Sequence, residues 1–336
     1  MSFRQSTVNK FVTLSIVAML GVSCSPSRIE TTASASEQQQ GAALSLSPSS
    51  LKVGEGFENP LGYYEAAPRF SWKIASDAST QFQSAYQIQV ATSADILSQA
   101  ADLWDSNKVQ SEVTSWVKYQ GQALRSRQKV YWRVRIWDEA DKASQWSEVQ
   151  SVELGLLTNQ DWQAKWIGHP DTDLTKKPSQ AVLATPQYLR KTFSVAGEIK
   201  QARLYITAKG LFKPFINGSA VSLEDVMTPG WTPYAKRIET LTYDLTSSLK
   251  QGENAISASL AGGWYAGRVY EFTDREFALP ARLLAQLEIT YANGKTQQVV
   301  TDESWFTSQQ GPIRFASIYD GERYEQGKEM PWLDDL

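Results

Sequence analysis

Residues 202–269 constrain the fold more than any other stretch of the chain, and they read ARLYITAKGLFKPFINGSAVSLEDVMTPGWTPYAKRIETLTYDLTSSLKQGENAISASLAGGWYAGRV. Short alternating apolar segments are cut by turn signals at Asn217-Gly218, Pro229-Gly230, Gly252-Glu253-Asn254 and Gly262-Gly263. A period of two places apolar side chains on one face of a pleated strand, and Gly or Asn-Gly supplies the backbone freedom for a tight reversal. The pattern predicts an antiparallel β-sandwich whose loops carry aromatic residues. A helix would repeat its apolar positions every 3.6 residues, and no such sustained period occurs in the chain.

Strand signals extend the pattern in both directions. They fall at 188–195, 213–218, 240–246, 254–263, 282–292, 296–308 and 312–325. The segment RLLAQLEI has a helix-like composition, but its place between turns favours a strand. Residues 171–186 are polar and read as a loop. Together these segments predict a jelly-roll β-sandwich over 162–332.

Upstream, residues 51–157 read as a smaller all-β domain. LKVG at 51–54 and PRFSWKI at 68–74 are strand-like, and Tyr86, Ile88 and Val90 alternate with Gln87, Gln89 and Ala91. In YWRVRIWD at 131–138, Trp132, Val134 and Ile136 share one face, while Tyr131, Arg133, Arg135 and Trp137 share the other. Arg stems covering an outer sheet face explain that second face, with a cation–π binding surface as the alternative. The pattern resembles a fibronectin type III module, and SQWSE at 144–148 is similar to such a module's closing segment. The fold class is therefore all-β: a fibronectin type III-like sandwich, then a jelly-roll sandwich of the carbohydrate-binding-module kind.

The ordered series NG, PGWTPYAKR, TYDLT, LKQGENAI and GGWYAG resembles the N-terminal sandwich domain of bacterial α-L-rhamnosidases, glycoside hydrolase family 78. DWQAKWIGHP at 161–170 is similar to the connector that leads into that domain, and IYDGE at 318–322 to an element that leads out of it. The resemblance implies an inverting glycosidase with its acid and base on an (α/α)₆ barrel. Such a barrel needs many amphipathic helices, and the sequence shows none, so no catalytic residue is assigned. The implied partners are a rhamnose-containing glycan and a catalytic glycosidase domain. Three functions remain open: a non-catalytic accessory portion of a rhamnosidase, the first part of a complete inverting α-L-rhamnosidase, or a surface scaffold without sugar specificity.

The net charge of −3 gives no reason to expect nucleic acid as a partner. With one His and one Cys, zinc sites built from several such side chains are excluded, and Ser–His–Asp machinery would have only His169 to draw on. His169, beside Pro170, reads as a linker residue. Twelve Trp and fourteen Tyr suit β-structure with aromatic side chains in the core and at the surface.

The lone cysteine falls at the end of a leader. Arg4 and Lys10 precede an apolar run, Phe11–Val22, that is too short to span a bilayer but suits a signal peptide core. LGVSC resembles a lipoprotein signal with Cys24 as the lipidated first residue of the mature chain. Residues 1–24 are thus expected to be a signal peptide and 25–50, rich in Ser, Thr, Ala and Gln, a tether too polar to fold. Export follows, with a lipid anchor at the cell envelope (outer membrane or periplasm), or plain secretion.

Any chemistry must use carboxylates. Asp274 with Glu276, Asp320 with Glu322, and Asp334-Asp335 read as turn or tail carboxylates. Glu224-Asp225 is the most informative pair, because related sandwich domains hold calcium against a bound sugar at this loop with Asp and Asn. The resemblance makes Glu224 and Asp225 the calcium candidates, calcium being the one cofactor in view. Two departures from the pattern stand out: Glu-Asp replaces Asp-Asn, and 275–279 lacks the Asn that related domains place before Pro280. Trp231, Trp264 and Tyr265, each in a Gly-bearing turn, complete the sugar-binding candidates, since an exposed aromatic face can stack on a sugar ring.

Overall fold

A computed structural model describes residues 46–76, 82–170, 185–266 and 280–330. The expected leader, most of the tether, Asp274, Glu276, Asp334 and Asp335 lie outside the described residues. The strands of the first domain are β1 (Ser47–Val53), β2 (Leu61–Tyr63), β3 (Arg69–Ala75), β4 (Ala85–Ala91), β5 (Trp104–Asp105), β6 (Val109–Gln110), β7 (Val117–Lys118), β8 (Lys129–Trp137) and β9 (Gln150–Leu154), with one short helix, α1 (Ala94–Leu97). One sheet runs β1-β3-β7 and the other β2-β9-β8-β4-β5, with β6 also on β4. Ahead of Leu51, Leu46 is buried in the core and Ser47–Ser49 pair with 73–75 of β3.

Strand β8 shows why the period-two reading works. Trp132, Val134 and Ile136 are fully buried with Ile88, Val90 and Phe70, and the Phe70 and Trp132 ring centroids are 4.4 Å apart. On the opposite face Gln87 faces Arg135 and Gln89 faces Arg133 across β4 and β8. Both guanidinium groups lie over the Trp146 ring, at 4.4 and 4.7 Å, and both donate to the amide oxygens of those glutamines. Asp105 accepts from the two amide nitrogens. This ladder satisfies its own donors and covers the sheet.

The second domain holds β10 (Gln187–Val195), β11 (Ile199–Lys209), β12 (Leu211–Ile216), β13 (Ser219–Ala220), β14 (Leu241–Asp244), β15 (Gly252–Ala261), β16 (Arg282–Tyr291), β17 (Thr296–Val300) and β18 (Phe306–Ser308). They form a five-stranded sheet, β13-β12-β15-β10-β18, against a four-stranded one, β14-β11-β16-β17. Asn217 and Gly218 both take positive φ, 50° and 80°, the backbone of a tight primed turn between β12 and β13. Asn254, fully buried, ties this turn to the loop before β15. Its amide donates to the Lys250 and Gly252 carbonyls and accepts from Asn217. The segment 296–308 breaks into two strands at Asp302, whose carboxylate accepts from the Ser304 N–H. Residues 312–325 form a hairpin of β19 (Ile313–Ser317) and β20 (Gly321–Tyr324), with Asp320 in its turn.

Residues 44–336 cluster as one unit, and the reason lies on the outer face of the four-stranded sheet. Along β11, Ala202, Leu204, Ile206 and Ala208 enter the sandwich core, which leaves Arg203, Tyr205 and Thr207 pointing outward. Those outward residues are buried as well. Arg203 reaches back to the first domain, donating to both Glu153 oxygens at 2.6 and 3.1 Å, and it pairs with Asp244 at 2.8 Å. Arg127 of the first domain reaches forward to both oxygens of Glu288 on β16, at 2.6 and 2.7 Å, and to Asp161 of the connector at 2.8 Å. Gly62 fits against Thr242 only because it lacks a side chain; a Cβ there would lie 2.2 Å from the Thr242 hydroxyl.

Two outcomes test this clamp. Arg203→Met leaves Glu153 buried without its charge partner and is expected to cost roughly 3–5 kcal/mol of unfolding free energy, read by denaturant titration. Burial pushes the Asp161 carboxyl up, but hydrogen bonds from Ser126, Thr158 and Arg127 outweigh it and hold the group at about 2, below its ordinary 3.8. A depressed carboxyl stabilises the fold fully above its unfolded value and loses that contribution as pH falls through its folded value. Asp161→Asn should therefore flatten the acid side of the stability profile between about pH 4 and pH 2.

Candidate functional site

The loop at 221–240, between β13 and β14, carries the expected carboxylate pair. The Ser222 hydroxyl accepts the backbone N–H groups of Glu224 and Asp225, at 3.3 and 3.2 Å, which fixes a small turn with both side chains exposed. Asp225 accepts the Tyr243 hydroxyl at 2.8 Å. Burial first, and this bond second, push the Tyr243 phenol well above its ordinary value, so its proton stays on Asp225's partner oxygen. Among the described residues no group of three or more His, Cys, Asp or Glu side chains comes together to hold a metal ion. Calcium takes about six to eight oxygens. Two exposed carboxylates, one already engaged by a tyrosine, do not fit that requirement.

The three expected aromatics separate. Trp231 follows the cis Thr228–Pro229 bond and Gly230, and it is 61% exposed, as a sugar platform needs to be. Trp264 is half-buried in the turn after β15. Tyr265 is only 7% exposed and packs edge-on against Tyr234, ring centroids 5.1 Å apart, with the Lys209 ammonium 6.0 Å from its ring. Tyr265 is therefore a support for the 221–240 loop, and it offers no face to a ligand. Asp320 belongs to a hairpin turn closed by Ser317, whose hydroxyl donates to Asp320 at 3.1 Å.

A second concave feature escaped the sequence reading. A groove of about 520 Å³ lies on the outer face of the four-stranded sheet, with Thr207 and Leu284 on its floor. One wall is the connector, through Trp162, Lys165 and Trp166; the other is the loop, through Tyr234, Lys236 and Arg237. Among the described residues no Asp or Glu lines it. The signal was present as two tryptophans four residues apart in DWQAKWIGHP and as the basic pair in PYAKR. Nothing in either segment says that they face each other.

Five aspartates of the described residues share one tendency. Asp102, Asp105, Asp161, Asp244 and Asp302 all have acidity strengthened: burial opposes ionisation in each, and hydrogen bonds from neighbouring side chains or backbone outweigh it. The general acid of a glycosidase needs the reverse, a carboxyl raised toward neutrality by an apolar setting.

Residues 197–335 match the α-L-rhamnosidase N-terminal domain family, and residues 48–158 match the Rha78A-like N-terminal immunoglobulin domain family. Immunoglobulin and fibronectin type III modules share the sandwich architecture, which is why the first domain's pattern resembles both. An α-L-rhamnosidase of Alteromonas sp. (strain LOR) is 56% identical over 295 residues, covering 86% of this chain and 32% of that protein. One from Formosa agariphila is 49% identical over 286 residues, covering 84% and 30%. The chain thus spans about a third of the length of the curated relatives it matches. The structure of an α-L-rhamnosidase from Dictyoglumus thermophilum superposes with a TM-score of 0.74 at 35% identity, over 84% of this chain and 32% of that one. A Streptomyces avermitilis α-L-rhamnosidase complexed with L-rhamnose gives 0.79 at 26% identity, over 87% and 44%. The two sandwiches of this chain are the N-terminal modules of the α-L-rhamnosidase family.

Proposed function

We propose that this chain is the non-catalytic N-terminal part of an exported α-L-rhamnosidase that acts on rhamnose-containing glycan. The observation that carries the reading is the crossed arginine clamp, which joins the two sandwiches and commits Glu153 and Glu288 to arginine. Such a pair of joined sandwiches suits holding and presenting a glycan or a catalytic domain. Cleavage belongs to the part of the relatives' length that this chain does not span. The glycan contact on this reading is the tip of the 221–240 loop: Trp231 stacks on the sugar and Glu224 and Asp225 accept from its hydroxyls, without a calcium ion. Export and anchoring rest on the leader and on Cys24.

Three measurements test the reading. The purified chain should not turn over nitrophenyl α-L-rhamnoside; turnover lost on changing Asp320 to Ala would replace this proposal with a catalytic one. Calorimetry should show L-rhamnose binding with a dissociation constant of about 0.1–1 mM, the weak range of a shallow sugar site. It should persist in EDTA and vanish in Trp231→Ala with the melting temperature unchanged. Tyr265→Ala should instead destabilise the fold by roughly 2–4 kcal/mol, the cost of emptying a buried aromatic position. Absence of rhamnose heat in the parent chain would leave the scaffold function. The intact mass of the natively expressed protein should correspond to a chain starting at Cys24 with a diacylglycerol-sized increment, and cleavage elsewhere would remove the anchor from the proposal.

A further inference from the structure

We infer that the groove between the connector and the 221–240 loop is a second glycan site, selective for saccharides that carry an anionic group. The inference rests on the glycan-handling reading above and adds a ligand class and a place to it. The chain as a whole is net negative, yet the groove gathers Lys165, Lys236 and Arg237 in its lining and, among the described residues, no carboxylate. Lys236 and Arg237 are exposed and form no ion pair among the described residues. Lys165 pairs with Glu303 at 2.8 Å, but both side chains are largely in solvent, where such a pair holds weakly and a ligand anion can compete. A concave surface of one charge sign concentrates ligands of the other.

The aromatic residues make the site more than a basic patch. Trp162 and Trp166 stand on one wall and Tyr234 on the other, with the Thr207 side chain on the floor between them. Rings across a gap of this volume suit the flat C–H faces of a pyranose, while lysine and arginine suit a carboxylate or sulfate oxygen.

Both walls are fixed before any ligand arrives. The connector is stitched to the sheet by Lys165 N–H to the Thr301 carbonyl at 2.7 Å, by Thr301 hydroxyl to the Lys165 carbonyl at 2.7 Å, and by the mutual backbone bonds of Ile167 and Leu283. The Lys209 ammonium lies 5.0 Å from the Trp166 ring and helps hold it. On the other wall, the Pro233 carbonyl accepts the N–H groups of Lys236 and Arg237, at 2.7 and 3.2 Å, which sets the two basic residues side by side in one turn. The Thr232 hydroxyl, buried, donates to the Arg237 carbonyl at 2.8 Å and pins the turn down. Buried Tyr265 backs Tyr234. Ordering cost on binding is therefore small, which a weak saccharide site needs.

The test titrates the purified chain with digalacturonate, galactose 6-sulfate and neutral galactobiose by calorimetry at low and moderate salt. The acidic sugars should bind and weaken as salt rises, while the neutral disaccharide does not bind. The double variant Lys236→Gln/Arg237→Gln should weaken the acidic sugars at least about ten-fold, or 1.4 kcal/mol, with unchanged melting temperature. Trp166→Ala should weaken them too. Digalacturonate alone binding would make the anion a carboxylate, and galactose 6-sulfate alone a sulfate. Rhamnose binding through Trp231 should be untouched by the basic-pair variant. Loss of rhamnose binding in the parent chain would sink the loop-tip proposal and leave the groove's own titration to stand or fall. Acidic sugars binding no better than galactobiose, or binding undiminished in the double variant, overturns the inference.

Discussion

Two arginines cross the boundary between the sandwiches in opposite directions, and the rest of the molecule is arranged around that exchange. Arg203 projects from the second domain to Glu153, and Arg127 projects from the first to Glu288. Arg203 and Glu288 sit directly opposite each other on β11 and β16, so both pairs rise from one patch of sheet. Moving such charges out of water costs several kcal/mol per ion, and only good geometry offsets it. Here each arginine meets both oxygens of its carboxylate, and its remaining donors are used as well, Arg203 on the Asp244 carboxylate and Arg127 on the Asp161 carboxylate and carbonyl. Arg127 even holds a positive φ of 68°, an uncommon backbone for a residue with a side chain, kept in place by bonds from its N–H to the Leu154 and Gly155 carbonyls. The clamp is specific in orientation, since a hydrophobic contact of similar area would tolerate a sliding of one domain over the other.

That arrangement explains which parts of the fold were readable. Alternation found β4, β8, β10, β11, β15 and β16, because a strand with one buried face records its register in the sequence. On β11 a period-two pattern separates Arg203, Tyr205 and Thr207 from the core positions, but it cannot say whether that outer face meets water or another domain. Tyr205, only 2% exposed, is the clearest case. The segments 296–308 and 312–325 were read as single strands because their turns at Asp302 and Asp320 lack the Asn-Gly signature that marked Asn217-Gly218. In both, short side-chain bonds close the turn through aspartate and serine, chemistry that also occurs in exposed loops.

The candidate site was legible in part, for a related reason. Trp231 and Tyr265 both stand in Gly-bearing turns and are indistinguishable as local sequence. What separates them is a contact over a long stretch of chain: Tyr265 lies under Tyr234, whereas Trp231 lies over nothing that shields it. The groove residues are harder still. They come from the connector and Asn159 just before it, from Thr207, from the loop at 234–238 with Thr240, and from Leu284, and only the packing of the connector onto the sheet brings them to one place. The arginine ladder of the first domain is closer to the opposite case: Arg133 and Arg135 share one face in YWRVRIWD, while Trp146 and the cross-strand glutamines that complete the ladder come from other segments.

The 221–240 loop ties the two proposed contacts together. Irregular loops longer than about 12–15 residues are uncommon in small domains and are usually functional. This one is longer, and it is anchored along its length. Asp225 bonds Tyr243, Thr228 exchanges bonds with Phe212, Thr232 bonds within the loop, Tyr234 packs on Tyr265, and the Glu239 carbonyl accepts from Thr207. Each anchor fixes backbone and leaves certain side chains outward: Leu223, Val226 and Trp231 at the tip, Lys236 and Arg237 at the base. A loop with its polar groups satisfied and large apolar side chains in solvent is shaped for contact rather than for its own stability. Three of the anchors reach the 207–212 stretch or the turn after β15, which lie beneath both the tip and the base of the loop. A ligand held at either end meets a surface already set by the same few bonds.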